Sequence, residues 1–172
     1  MAQDLEVRFN HAIQFENIIE ILKIELPNII GLSYEFEFTL VEILDSKLLD
    51  LEGSIEIGED LNKAYMVCIP EFDVSVGVYP QSILLKPNTS EYKYFSIVVG
   101  SSRDPLEYCL AAALALSISK LCNSQIVDGA CFWVNHEEMD AEPFLLSVSV
   151  SQLEDMGVLQ AAERCYNNFN KS

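Results

Sequence analysis

Residues 104–121 read DPLEYCLAAALALSISKL, and this stretch decides the fold class. Asp104 is suited to cap a helix and Pro105 to open it, while Glu107 stands at capping-box spacing. From Leu106 to Leu121 the chain is rich in Ala and Leu and almost uncharged. A helix apolar nearly all round leaves no face for water, so it is expected at the centre of a core. Asn123 can end it in the left-handed conformation. The uncharged run is too short for a membrane span and Lys120 interrupts it.

A central helix needs layers around it, and the flanking residues supply them. Leu5, Val7 and Phe9 alternate with polar residues and predict a short strand. Residues 11–25 change period: Ile13 or Phe15, Ile18, Ile19, Leu22 and Leu26 predict an amphipathic helix that Pro27 ends. Tyr34, Phe36, Phe38 and Leu40 alternate with Glu35, Glu37 and Thr39, the clearest strand pattern in the chain. Residues 54–57 and 65–69 predict two strands around Gly58-Glu59-Asp60. Val74, Val76 and Val78 predict another before Pro80, and Tyr92 to Val99 one more. Ile83 to Leu85 fits a strand or a connector, and Asn88-Thr89-Ser90 a turn. The connections within 34–99 are too short for crossover helices, so this part reads as an antiparallel meander.

Beyond the central helix, Ile126-Val127 and Cys131 to Val134 predict short strands around Asp128-Gly129. Residues 136–142 read as an acidic loop, and 144–150 fits a strand or a short helix. Ser151 and Glu154 have capping-box spacing before a last amphipathic helix marked by Leu153, Met156, Leu159, Ala162, Tyr166 and Phe169. The expected fold is α+β: an antiparallel sheet of about six to eight strands against an N-terminal helix, the buried Ala/Leu-rich helix and a C-terminal helix. Residues 1–172 form one domain, with the last few residues frayed.

The charge balance narrows function. The chain has 27 Asp+Glu against 10 Lys+Arg, a formal net charge of −17. Such a chain repels phosphate backbones and anionic lipid, which argues against nucleic acid or membrane as partner. It attracts basic proteins and accelerates the encounter. Acidity also serves solubility alone. Residues 35–60 carry Glu35, Glu37, Glu42, Asp45, Asp50, Glu52, Glu56, Glu59 and Asp60 against Lys47. Residues 128–142 carry Asp128, Glu137, Glu138, Asp140 and Glu142 with no base, and Trp133 lies among them. These five acids and Trp133 are the candidate partner-binding residues. Trp133 fits an interface anchor ringed by charge, but a core residue on a strand is the plainer reading.

Catalytic signatures are sparse. His11 and His136 are the two histidines. His136-Glu137-Glu138-Met139-Asp140 lacks the second histidine of a helical zinc motif, so solvated carboxylates are the plainer reading. A hydrolase using carboxylates or a metal near 136–142 is the third choice. The five cysteines, Cys68, Cys109, Cys122, Cys131 and Cys165, are odd in number and form no C-x-x-C. They read as buried thiols of a reducing compartment. Met1 to Phe9 carries Asp4, Glu6 and Arg8 without an apolar run, so no signal peptide is expected and the chain is assigned to the cytoplasm. No phosphate-binding glycine loop or nucleophile elbow is present, and no cofactor or metal is expected.

From Ser96 through Arg103-Asp104-Pro105, the Ala/Leu helix, Ile126-Val127-Asp128 and Phe132-Trp133, the order of elements resembles small bacterial immunity proteins that neutralise polymorphic toxins. The resemblance covers about residues 96–133; Asn123-Ser124 stands where a Gly-rich helix exit would be expected. It implies a cytoplasmic α+β protein that blocks a cognate toxin domain by occlusion, the partner having a basic surface if it is a nuclease. The alternative is an acidic secretion chaperone, dimeric and using helix 105–122 at its subunit contact. The sequence leaves the oligomeric state open.

Overall fold

The computed structural model describes residues 4–44, 47–50, 54–83, 92–100, 104–135, 137–152 and 155–169. In chain order the elements are β1 (Asp4–Arg8), β2 (Ile13–Gln14), α1 (Phe15–Ile30), β3 (Thr39–Leu44), β4 (Lys47–Asp50), β5 (Glu56–Ile57), β6 (Ala64–Ile69), β7 (Val74–Ile83) and β8 (Tyr92–Val99). They continue with α2 (Pro105–Cys122), β9 (Ile126–Val127), β10 (Glu138–Met139), α3 (Ala141–Val148) and α4 (Val158–Tyr166). The fold is α+β. One eight-stranded sheet runs β10-β9-β1-β8-β7-β6-β3-β4, antiparallel at every step, and β2 pairs with β5 apart from it.

Helix α2 lies at the centre, as its composition requires. It packs on β1, β7 and β8 and against α1, α3 and α4, so every residue from Leu106 to Ser119 is buried. Asp104 accepts a hydrogen bond from the Leu106 N–H and Asn123 closes the helix at φ 48°. Ser117 lies inside this core and returns its hydroxyl to the Ala113 carbonyl at 2.7 Å, which satisfies a group that burial would otherwise strand. The helix passes a length-and-hydropathy test for a membrane span, but 78% of it is buried in the chain's own core. The same packing fills the surface on which a dimer helix would have met its partner.

Several expectations are corrected. Pro27 does not end α1, which continues to Ile30 and stops at Gly31 in the left-handed conformation. Ile29 and Ile30 are fully buried, and this burial outweighs the one backbone bond proline removes. Residues 34–38 alternate in burial as expected, yet the ladder starts only at Thr39. The alternation arises because Tyr34 and Phe36 pack on Phe72 and Phe38 packs on Phe36, the rings of Phe36 and Phe72 being 6.1 Å apart. Residues 56–57 join β2 instead of their sequence neighbour β6. β7 runs through Pro80, which pairs with Phe95 beyond the end of the β6 ladder, where a missing N–H is tolerated.

Near the C-terminus, 131–134 is not a strand; β9 pairs with β10 instead. Residues 138–142 are a strand and a helix start instead of a loop, and 144–148 is helical. The last helix begins at Val158, and its buried face is Val158, Ala161, Ala162 and Cys165, with Leu159 outside. Ser151 does not cap it: its side chain and carbonyl accept from Arg164 at 2.8 and 3.0 Å. Expectations on residues 84–85, 88–90, His136, 153–154 and 170–172 lie outside the described residues.

Candidate functional site

The acidic segment 128–142 begins where β9 ends, at Asp128. Its main-chain N–H donates to the Glu137 carbonyl at 2.8 Å, which closes the neck of a loop whose base is the β9–β10 ladder. Its carboxylate turns into the loop and accepts from three successive main-chain N–H groups. Phe132 donates at 3.1 Å, Trp133 at 2.7 Å and Val134 at 3.0 Å. The Asp128 carbonyl takes the Cys131 N–H at 2.9 Å, and Cys131 holds φ 48° to complete the turn. A buried carboxyl group is tolerable only with such donors, and the donors in turn need it, since the loop offers them no ladder.

Trp133 is fully buried. Its indole N–H donates to the Tyr108 carbonyl of α2 at 3.1 Å. Its ring sits 5.0 Å from Phe132 and 5.9 Å from Tyr108, in an aromatic cluster that Tyr166 and Phe169 complete. Of the six residues singled out in the sequence, Asp128 and Trp133 are therefore interior and touch no surface partner. Their role in the site is to hold its frame on α2.

The other four stand outside. Glu137, Glu138, Asp140 and Glu142 are exposed, along β10 at the sheet edge and into the first turn of α3. Asp140 occupies the N-cap of α3 without a side-chain cap bond, and Glu142 lies in that helix's first turn, where the macrodipole favours an acid. Glu138 meets Arg8 at 3.7 Å with both side chains about half exposed, a weak pair. Asp140 and Glu142 border an open groove of about 470 Å³ between the end of α2 and the start of α3. Lys120 lines the same groove but donates to Glu25 at 2.6 Å, a nearly buried carboxylate on α1.

The two acidic segments do not form one face. β10 and the β3–β4 pair lie at opposite ends of the sheet. Acids of the second segment are partly consumed locally: Glu42 pairs with Lys63 at 3.2 Å, Glu56 accepts from Gln14 at 2.5 Å, and Asp60 accepts from Asn62. No family model, curated protein or solved structure matches the chain. The site is therefore read from its own geometry.

Among the described residues no three His, Cys, Asp or Glu side chains converge to hold a metal. Two of the thiols are disfavoured as nucleophiles: burial pushes Cys122 up to about 11, and burial with the adjoining Cys165 pushes Cys109 well up. What the arrangement offers is recognition: a row of exposed carboxylates on a braced hairpin base. The sequence made the acids visible by composition. It did not reveal that Asp128 turns inward, because one acid among many carries no mark of its donors.

Proposed function

We propose that the chain is an acidic cytoplasmic binding protein that neutralises a cognate bacterial toxin domain by covering its active or binding surface. The observation that carries the reading is the exposed row Glu137, Glu138, Asp140 and Glu142, which starts where the Asp128 N–H meets the Glu137 carbonyl and follows the β9–β10 ladder into α3. A backbone already ordered leaves only the side chains to be fixed when a partner docks. The carboxylates also steer a basic partner and disfavour an acidic one. Occlusion needs no catalytic group. Five cysteines that include two fully buried thiols suit a reducing compartment.

The test is co-expression with the product of the neighbouring gene, inactivated by substitution if it is toxic, and light scattering on the purified material. A stable one-to-one complex is expected. Replacing Glu137→Lys together with Glu138→Lys should slow association about tenfold at low salt and flatten its salt dependence. An unchanged association rate removes the β10 row from the interface, and failure of the wild-type pair to associate removes the reading.

A further inference from the structure

The eight-stranded sheet has α2 on one face only; the described helices α1, α3 and α4 stack on α2. Strand alternation and register define what the other face presents. One row crosses five strands as Val41, Met66, Gly77, Val98 and Asp4. The next row crosses as Tyr79, Ser96, Glu6, Val127 and Glu138. An antiparallel sheet with one solvated face normally turns polar residues outward. Here the first row is apolar until it reaches Asp4. A methyl group on Gly77 would lie 2.5 Å from the Tyr79 ring, so that ring lies across the glycine and widens the apolar floor.

The charge on this face is predominantly negative at its β1–β10 end. Asp4, Glu6 and Glu138 gather there, with Arg8 as the base on the same side of β1. Arg8 is engaged by Glu138 and by the Tyr92 ring, its guanidinium 4.4 Å from the ring centroid. Ser96 donates to Asp4 at 3.3 Å. Partial burial, and to a lesser degree the neighbouring Asp4, push the Glu6 carboxyl upward. A second copy of a chain of net charge −17 would add the same carboxylates to this crowd. A cation would relieve it.

We infer that this outer sheet face, continuous with Glu138 of the β10 row, is the docking surface for the toxin domain. The partner would lay an apolar patch on Met66, Tyr79 and Val98, Val41 being buried at the edge of this face, and direct Lys or Arg side chains to Asp4, Glu6 and Glu138. The inference rests on the toxin-binding reading and adds the surface and the chemistry of the partner.

Methionine methyl groups report on it without mutation. Met66 lies on the outer face, whereas Met156 precedes α4 on the helical side. The full chain carrying ¹³C-methyl methionine is titrated with the inactivated toxin domain, the Met66 signal being assigned through Met66→Leu. The Met66 signal should move or broaden on binding while that of Met156 stays. Glu6→Lys and Met66→Lys, checked for folding by circular dichroism, should each weaken the complex at least about tenfold. Leu159→Lys, at an exposed position on α4, should not. A complex that forms while Met66 is unmoved and Glu6→Lys is silent overturns the surface and leaves the toxin-binding reading in place. A Met66 signal that moves with the chain's own concentration assigns the face to a second copy and overturns the inference. No complex with wild type overturns both.

Discussion

Asp128→Ala tests the frame of the site most directly. The carboxylate accepts from the N–H groups of Phe132, Trp133 and Val134, and its side chain is shielded from water. Alanine leaves all three donors without their acceptor, at about 1–3 kcal/mol for each that stays buried. Phe132 is only partly buried, so water can reach part of the loop once it relaxes. The substitution also removes the desolvation cost of the carboxylate itself. The expected net loss is about 3 kcal/mol, or roughly 6–12 °C in Tm for a domain of this size. Trp133 is the single tryptophan, so urea unfolding followed by its fluorescence reads both effects. The midpoint should fall, and native emission should shift to the red if the loop opens before the rest. Asp128→Asn keeps one acceptor but aims an amide N–H₂ at donors, so it should rescue little. A loss below about 1 kcal/mol for Asp128→Ala, with native emission unchanged, would refute the claim that this carboxylate holds the loop.

Gly31→Ala should destabilise by more than about 2 kcal/mol, because the site needs a left-handed backbone at φ 67° and the new methyl would lie 2.6 Å from the Ser151 carbonyl oxygen. Gly129→Ala, with no atom within 4 Å of the new methyl, should change denaturant midpoints little. Lys120→Met strands the buried Glu25 carboxylate and should cost about 1–3 kcal/mol by urea unfolding, discounted because Lys120 is partly exposed. Adding Glu25→Gln should recover part of that loss. The Cys122 thiol is raised to about 11, so the neutral form is the one the fold favours. The stability it contributes is present below the unfolded thiol's pKa and is lost as pH rises from about 9 toward 11. Thermal melts over that range should fall less steeply for Cys122→Ala than for wild type, and equal slopes would assign the loss to other groups.

How much was legible in the sequence follows from the range of the forces involved. The α2 boundaries, Asp104 cap and Asn123 stop depend on neighbours within a few residues, and they were readable. So were the strand periods of β1, β6, β7 and β8 and the antiparallel pairing of consecutive β6, β7 and β8, whereas β3 departs from the expected meander by pairing with both β4 and β6 while β5 joins β2. Residues 34–38 show the limit of period. Their alternation reports which side chains are buried, and it is the same whether the backbone pairs with a strand or the rings pack on Phe72. Pro27 shows the limit of punctuation, since a proline near a helix end yields to two buried isoleucines beyond it.

The sequence by itself determined an α+β chain built around an uncharged helix, strongly acidic and rich in apolar residues. Those properties are set by composition and by neighbours along the chain. Only the tertiary structure decided which acids face water. Asp128 and Glu138 are ten residues apart and chemically alike, yet one is enclosed by three N–H groups and the other stands exposed on the sheet edge. The same holds for Trp133, drawn into the core by a carbonyl of α2, and for the outer row of the sheet, which joins residues from β3 to β1. Burial and charge crowding are sums over neighbours brought together by folding, and no local pattern in the chain encodes those sums.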